Sequence, residues 1–401
     1  MKNKKIFFNL IAIQILFWFG WQFATYQIVY LQSVGMSTKD IGVMSAVCSL
    51  ASMVASIFWG WISDKINSIK KAFILNLIIT TLFIVALPLL PTKIKYASVM
   101  FIVYRVISCF SQGPIATLLD NHAVRNCEEH GLNFGILTAF RFISGTLGGL
   151  LCTLVLTRIE VKYAFLIFGL FMIPTLICVL MSNDPQGYVN EKKDGEHTRH
   201  ENVLLGLGNY RFIVFLAFTL FFNLAHQAVT IFIPSFMSDI GVDSANWGIY
   251  NSVRLLTSIP FMFMFGWIRK RMKLETVIIL SCVFMSMESL LLGLFEGNLA
   301  WILVCGAIYG VGGGLFTGAV PLYILKLAPD NLKATAHNVY GAVCLGAGIV
   351  GNLLGGMLYD AMGGSSFYVL LGTIMLLSVV FFIASFMFGN KHKTQNGADA
   401  A

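Results

Sequence analysis

Charge is what this sequence has least of. Only 11% of its 401 residues are Asp, Glu, Lys or Arg, where soluble domains carry about 25%. With 57% hydrophobic residues and a mean hydropathy of +0.79, the chain falls outside the ordinary soluble classes. Cysteine pairing is missing too. Cys48, Cys109, Cys127, Cys152, Cys178, Cys282, Cys305 and Cys344 form no CxxC pattern, and all but Cys127 lie in apolar runs. They read as small packing residues, which excludes a disulfide or metal framework. No nucleotide-binding P-loop is present, so ATP-driven pumping has no engine. No HExxH and no G-x-S-x-G are present, and the histidines are scattered. No enzymatic activity, cofactor or metal is expected. The basic start Met1-Lys-Asn-Lys-Lys5 imitates a secretory signal, but its apolar stretch runs on to about residue 31 with no small-residue cleavage site. It reads as a first membrane span.

What the chain does have is apolar length. A bilayer crossing takes about 20 apolar residues, and twelve such stretches are found. They cover about 6–31, 39–60, 72–91, 96–118, 134–157 and 162–181, then 211–235, 245–268, 275–295, 300–325, 334–358 and 366–388. The connections are short except residues 182–210, a polar, charge-rich stretch that reads as a cytoplasmic linker. With the termini and even-numbered loops inside, the cytoplasmic side holds 19 Lys and Arg and the outside five, Lys39, Lys93, Lys95, Arg158 and Lys162. That bias places both termini in the cytoplasm of a multi-pass protein of the cell membrane. The net charge of +8 is therefore topology, not a nucleic-acid footprint.

The sequence also repeats itself. A shift of 206 residues sets Gly35 on Gly241, Gly42 on Gly248, Val47 on Val253, Leu50 on Leu256 and Ser52 on Ser258. In the same frame Gly60-Trp61-Ile62 falls on Gly266-Trp267-Ile268 and Lys65 on Arg271. A weaker echo at 205 sets Tyr104, Val106 and Gly113 on Tyr309, Val311 and Gly318. A long repeat in so apolar a chain implies two related bundles around a midplane cavity, the build of a secondary transporter. The expected domains are an N-terminal six-helix bundle (1–181), the linker (182–210), a C-terminal six-helix bundle (211–390) and a cytoplasmic tail (391–401). Glycines 310, 312, 313 and 314 in the tenth span, and 346, 348, 351, 355 and 356 in the eleventh, suit close helix packing, static or rocking.

At the end of the second span stands Gly60-Trp-Ile-Ser-Asp64-Lys65-Ile-Asn-Ser-Ile-Lys70-Lys71. It resembles the loop motif of the major facilitator superfamily, G-x-x-x-D-[RK]-x-G-[RK]-[RK]. Asn67 stands in place of the second Gly, and one extra residue precedes Lys70. In the second copy Lys270 occupies the Asp position, so only Asp64 can act as an acidic latch. Tyr104-Arg105 leading to Gln112-Gly113 is similar to the superfamily's fourth-span motif, and Gly145-Thr-Leu-Gly148-Gly149 to its fifth-span motif, with a counterpart in Gly348-Ile-Val-Gly351-Asn352. Pro329 to His337, Gly351 to Asp360, and Phe134-Gly135 leading to Arg141 resemble the branch of lactose/proton and nucleoside/proton symporters. The lactose-type charge set is incomplete here. The resemblance implies an all-α membrane fold of twelve helices and proton-coupled uptake of a small polar solute.

Ionisable side chains inside hydrocarbon are costly and mark function by default. Here they are Arg105, Arg141, His226, Arg254 and Glu288. Counting from span ends puts His226, Arg254 and Glu288 in one layer, to within roughly 3 Å. They read as a proton relay, or as a structural ion pair of Glu288 with Arg254 and a hydrogen-bonded His226. Arg105 has no embedded carboxylate near it in sequence. Its expected company is Gln22, Tyr26 and Gln112, as a site for an anionic or hydroxyl-rich solute or as a backbone-bonded Arg. Gln14, Gln22, Tyr26, Asn223 and Gln227, with Arg141, suit a polar solute cavity. Asp120-Asn-His122 and Arg125 read as a solvated loop, or else a cytoplasmic gate. Two rival functions stay open: an exporter of amphipathic compounds, and a non-transporting receptor of the same fold. The expected partners are a small-molecule solute, protons and lipid, with the monomer as the working unit and no nucleic acid.

Overall fold

The computed structural model describes residues 2–93, 95–132, 134–185, 209–295, 297–329 and 332–398. Among them the regular structure is helical throughout. The helices are α1 (Lys2–Ala24), α2 (Gln27–Ser33), α3 (Thr38–Ile66), α4 (Ile69–Ala86), α5 (Ala97–His130), α6 (Phe134–Leu156) and α7 (Ala164–Met181). After them come α8 (Tyr210–Asp239), α9 (Trp247–Arg271), α10 (Leu274–Leu294), α11 (Leu299–Leu327), α12 (Lys333–Met362) and α13 (Gly364–Ala398). Eleven helical segments among the described residues are long and apolar enough to cross a bilayer. The helix outside that set is α9, which matches the eighth expected stretch in position. It carries Asn251, Ser252, Arg254, Thr257 and Ser258, and ends in Arg269, Lys270 and Arg271. Most of the expected linker, residues 186–208, lies outside the described residues, as do Asp330 and Asn331.

The first span is broken rather than straight. Thr25 Oγ1 donates to Gln22 O at 2.6 Å, Tyr26 leaves helical geometry at ψ 8°, and α2 restarts at Gln27. Such side-chain bonding to the backbone competes with the helical ladder.

The repeat survives at the level of single hydrogen bonds. After α2 the chain turns at Gly35 (φ 88°), with Gly35 N bonded to Gln32 O at 2.9 Å and Met36 N to Leu31 O at 3.0 Å. At a shift of 206, Gly241 (φ 76°) follows α8, with Gly241 N bonded to Ser238 O at 3.1 Å and Val242 N to Met237 O at 2.8 Å. Both are left-handed helix ends, where glycine meets no side-chain penalty. The next residues in register, Ser37 and Asp243, each accept a backbone N–H, from Asp40 and Ala245. Helix crossings recur as well. A Cβ on Gly148 would sit 2.7 Å from the Phe19 carbonyl oxygen, and one on Gly351 would collide with that of Leu224. Each is the small residue that lets its helix press on the backbone of the first helix of its half. Ser52 abuts Gly113, and its repeat mate Ser258 abuts Gly314, one turn before the sequence-aligned Gly318, which meets Phe265.

By packing, the chain divides into two compact units. The first holds α1 to α7 and the segment Met237–Leu256, which is the end of α8 and the first half of α9. Within it α1 packs on α6 and α7, α3 on α5, and α4 on α5 and α7. The second holds α8 up to Phe236 and everything described from Thr257 onward, with α10 packed on α11 and α13.

One expectation is overturned. Asp120, His122 and Arg125 are not in a loop. Helix α5 continues 12 residues past the expected end at 118 and stops only at Gly131, φ 64°. Asp120, His122, Asn126 and His130 of this extension are hydrogen-bonded inside the unit, so the helix continues past the point where hydrophobicity ends. His122 and Asn126 are fully buried; His122 Nε2 lies 3.0 Å from Ser182 Oγ, and Asn126 Nδ2 donates to His122 O at 2.9 Å.

Candidate functional site

Polar side chains inside the first unit gather in three groups. The first surrounds Arg105 on α5. Arg105 Nη1 donates to Gln112 Oε1 at 3.2 Å, and Gln27 Nε2 of α2 donates to the same oxygen at 3.3 Å, while Gln112 Nε2 donates to Ser108 Oγ. Arg105 Nε and Gln27 Oε1 are buried without a hydrogen-bond partner among the described residues. Arg105 thus keeps neutral company, with Gln112 as expected. Gln27, rather than Gln22 or Tyr26, is its partner from the first span. Gln27 is the first residue of α2, just past the break at Thr25 and Tyr26.

The second group lies toward the other end of α5. Arg141 Nη1 of α6 donates to Asp120 Oδ2 at 3.0 Å, and the two side chains are 31% and 34% exposed. The same guanidinium lies 3.7 Å over the ring of Trp18 on α1, a cation–π contact. Trp18 Nε1 donates to Gln14 Oε1 at 3.0 Å. Sequence reasoning selected Arg141 and Gln14, missed Trp18, and read Asp120 as part of a solvated loop or else a cytoplasmic gate.

Gln22 and Tyr26 form the third group with the start of α9. Tyr26 Oη donates to Ala245 O at 2.8 Å and accepts from Gly248 N at 2.8 Å. Asn251 Nδ2 donates to Gln22 Oε1 at 2.9 Å, Ile249 N donates to Thr153 Oγ1 at 2.7 Å, and Ser252 Oγ donates to Thr146 O at 2.8 Å. The first free N–H groups of α9 are therefore capped by side chains from the first-span helix break and from α6.

In the second unit, His226 Nε2 of α8 lies 3.1 Å from Tyr309 Oη of α11, with the two rings stacked at 5.6 Å. Tyr309 was not selected as a site residue, although the repeat echo with Tyr104 had marked it. Tyr104 itself donates to Phe83 O at 2.7 Å. Glu288 is fully buried on α10. Arg254 falls in the α9 segment that packs with the first unit, its guanidinium 5.3 Å over the Tyr250 ring. Asn223 Nδ2 donates to Thr219 O at 3.0 Å. A Cβ on Gly348 would sit 3.5 Å from the Gln227 side chain, as one on Gly145 would sit 3.2 Å from that of Gln22. These two glutamines stand 205 residues apart, so each half carries the same amide on the same kind of glycine.

The loop motif after α3 is built for turning. Asn67 ends α3 in the left-handed region (φ 50°, ψ 36°), and Ser68 starts α4 by accepting Lys71 N at 3.0 Å. Ser68 Oγ also donates to Asp184, and Lys70 Nζ donates to Leu180 O at 2.8 Å and Ser182 O at 2.6 Å. Lys70 thus holds the carbonyl end of α7, the end a cation favours. Asp64 lies half-buried in the last turn of α3. A Cβ on Gly60 would meet nothing within 4 Å among the described residues. Lys65 Nζ stands 4.9 Å over the Trp61 ring, and its repeat mate Arg271 stands 4.1 Å over Trp267.

Comparison with known proteins agrees with this build. The model of the MFS_1 like family matches residues 11–370. The uncharacterized transporter YwbF of Bacillus subtilis is 22% identical over 349 residues, 85% of this chain and 83% of that one. The crystal structure of the nucleoside transporter NupG superimposes with a TM-score of 0.79 at 14% identity, covering 96% of this chain and 99% of that one. That of a D-xylose-proton symporter gives 0.68 at 15% identity, covering 94% and 96%. At such identities the two structures speak for the fold alone.

Proposed function

We propose that this chain, which belongs to the MFS_1 like family of membrane transporters, carries a small polar solute of the sugar, nucleoside or organic acid class across the cytoplasmic membrane by alternating access, in symport with protons. The observation that carries this reading is Arg105. It sits in the first unit among Gln112, Gln27 and Ser108, with a buried guanidinium nitrogen and a buried amide oxygen of Gln27 left without partners. Buried polar groups without partners cost about 1–3 kcal/mol each, a cost a bound hydroxyl, amide or oxyanion relieves. The paired amides Gln22 and Gln227, with Asn223, add neutral groups suited to the same kind of solute. Tyr26 is assigned to the same region, and both termini to the cytoplasm, with α9 as the twelfth crossing and two six-helix halves joined by residues 182–210.

Glu288 is the proposed proton carrier, with Arg254 and His226 as the groups that tune it. Glu288 is fully buried, and an ionisable side chain inside a membrane is a functional candidate by default. The solutes carried by the D-xylose-proton symporter and by NupG lend support to the class without naming the cargo. The test is Glu288→Gln in proteoliposomes. Gradient-driven accumulation should vanish while exchange of solute across the membrane persists, since Gln keeps size and hydrogen bonding but cannot change charge. Normal accumulation in a well-folded variant removes Glu288 from the mechanism. Loss of folded yield together with every mode of transport assigns it a structural role.

A further inference from the structure

A cavity of about 640 Å³ opens at the end of the first unit opposite the loop motif after α3, where α2 and α4 stop and α7 starts. Its volume suits a drug-sized molecule, for which pockets run to about 300–1,000 Å³. None of its lining residues belongs to the group around Arg105 or to that around Arg141. One wall is stiff. Pro88 and Pro91 form it together with Leu90, and proline fixes its own φ, so the wall keeps its shape without a ligand. With Val34 and Val161 these residues make the apolar part of the lining.

Tyr30 and Lys162 make the polar part. Tyr30 is only 5% exposed, and its ring stands edge-on to Phe101 of α5 at 6.5 Å and to Phe165 of α7 at 5.4 Å. Contacts with two different helices fix the ring and with it the line along which the hydroxyl points. Among the described residues, the hydrogen bonds of Tyr30 all go to its backbone, including one from Ser33 Oγ at 2.7 Å. A buried tyrosine hydroxyl normally has a partner, and here the residue lines the cavity with its own donor unused. Lys162 stands at the rim, its Nζ 2.5 Å from Glu160 Oε2. An ammonium has three donors, and Glu160 takes one of them. The two connections that shape the cavity, residues 87–96 and 157–163, carry Lys93, Lys95, Arg158 and Lys162 against Glu160 alone, and α2 carries no charge. Such an excess of one sign around a concave site draws in the opposite sign.

We propose that the ends of α2 and α4 and the start of α7 form a second ligand site, for an anion with an apolar body, whose carboxylate or phosphate oxygens accept from Tyr30 Oη and Lys162 Nζ while the body lies on Val34, Pro88 and Leu90. The ligand is a free amphiphilic anion or the headgroup and first methylenes of an anionic lipid; both present the same chemistry to these residues. Glu160 competes with it for Lys162. Tyr30 and Gln27 are one turn apart on α2, so the ligand engages the same short helix that supplies Gln27 to the Arg105 group. The inference goes beyond the transport reading and does not depend on which solute is carried.

The test uses the full chain in phosphatidylcholine nanodiscs, titrated with hexanoate and hexyl phosphate, and with hexanamide, hexylammonium and acetate as controls. A free source shows as binding of hexanoate or hexyl phosphate, with a rise in melting temperature, because a ligand of the folded state raises apparent stability. The controls should then bind at least about tenfold more weakly. A lipid source shows as a rise in melting temperature on passing from phosphatidylcholine to phosphatidylglycerol discs. Either result supports the site if the variants follow. Tyr30→Phe keeps the ring contacts and removes the donor, and should weaken the anion about tenfold or halve the lipid effect. Lys162→Gln, at an exposed position, should weaken it at least as much. Glu160→Gln should tighten binding by up to about fivefold, since it removes the competing carboxylate. Should Tyr30→Phe fail to fold, the opposite shifts of Lys162→Gln and Glu160→Gln decide, because loss of a merely structural ion pair would move both variants the same way. Neither free anion nor anionic lipid having an effect overturns the inference. So do hexanamide or acetate binding as tightly as the anions, and affinity unchanged in both Tyr30→Phe and Lys162→Gln. Tighter binding of hexylammonium, or weaker anion binding in Glu160→Gln, overturns it in favour of a cationic ligand. All of these outcomes leave the transport reading intact.

Discussion

Asn67 stands where the loop motif that this stretch resembles has a glycine, and its backbone explains the choice. At φ 50° and ψ 36° it is the single non-glycine residue in the left-handed region among the described residues. Asparagine tolerates that region better than other side chains, and a residue without such tolerance costs roughly 1–2 kcal/mol there. Asn67→Gly should therefore leave the melting temperature of the purified protein unchanged or raise it. Asn67→Val should lower it, by about that free energy, and a Val variant as stable as the parent would show that the turn does not depend on the left-handed cap. The departure itself was visible in the sequence, and only the backbone shows why it is harmless. Other residues were legible to different degrees. Arg105 with Gln112 follows from seven-residue spacing on one helix. Gln27 was hidden because the spacing rule assumes an unbroken helix, and Thr25 breaks it. Asp120 was hidden because a polar run at the end of an apolar one reads as a loop unless its partners, Arg141 and Trp18, are known.

At the scale of the element, the start of α9 depends on side chains from elsewhere in the first unit. A helix leaves its first N–H groups without partners in its own ladder. Here Gly248 N is met by Tyr26 Oη at 2.8 Å and Ile249 N by Thr153 Oγ1 at 2.7 Å. Gly248 and Gly149 approach so closely that a Cβ on either would strike the other's backbone oxygen. Water has little room to replace a lost partner at such a contact. Tyr26→Phe removes one acceptor for Gly248 N and one donor for Ala245 O, a loss of about 1–3 kcal/mol for a buried group left unmet. Amide hydrogen exchange at Gly248 should then speed up by on the order of tenfold or more. Thr153→Val should do the same at Ile249 with Gly248 less affected. Unchanged exchange at both positions in both variants would mean that the caps contribute nothing to holding α9. The apolar stretch 245–268 gave the position of α9 in the sequence, but trans-capping leaves no periodic signal. Tyr26 could be chosen as polar and embedded, and its actual partner, a backbone N–H more than two hundred residues away, could not be read from spacing.

For the whole molecule the open question is the crossing made by α9, because every assignment of sides after it depends on that one helix. The repeat was legible over residues 35–65, and the turns at Gly35 and Gly241, the caps at Ser37 and Asp243, and the stacked pairs Lys65–Trp61 and Arg271–Trp267 all stand in its frame. In that frame α9 is the mate of α3, which does qualify as a span. Charge supplies a second argument. Eight of the nineteen cations assigned to the cytoplasm follow from Arg269 onward, so a non-crossing α9 would turn the bias of 19 against 5 into 11 against 13. A positive-inside excess would disappear altogether, which the insertion rule disfavours. The helix is less apolar than its fellows because it carries Arg254 and Asn251, and Asn251 is paired with Gln22. Two single cysteines decide the matter. Ser238 lies before α9 and Lys273 after it, and both are exposed, whereas the native cysteines are buried or half-buried. In intact cells a membrane-impermeant maleimide should label Ser238→Cys and leave Lys273→Cys unlabelled until the membrane is opened. Lys95→Cys, in the loop before α5, should behave like Ser238→Cys. Equal labelling of Ser238→Cys and Lys273→Cys from outside would leave eleven crossings, place the C-terminus opposite the N-terminus, and end the two-fold reading of the chain as a pair of six-helix halves.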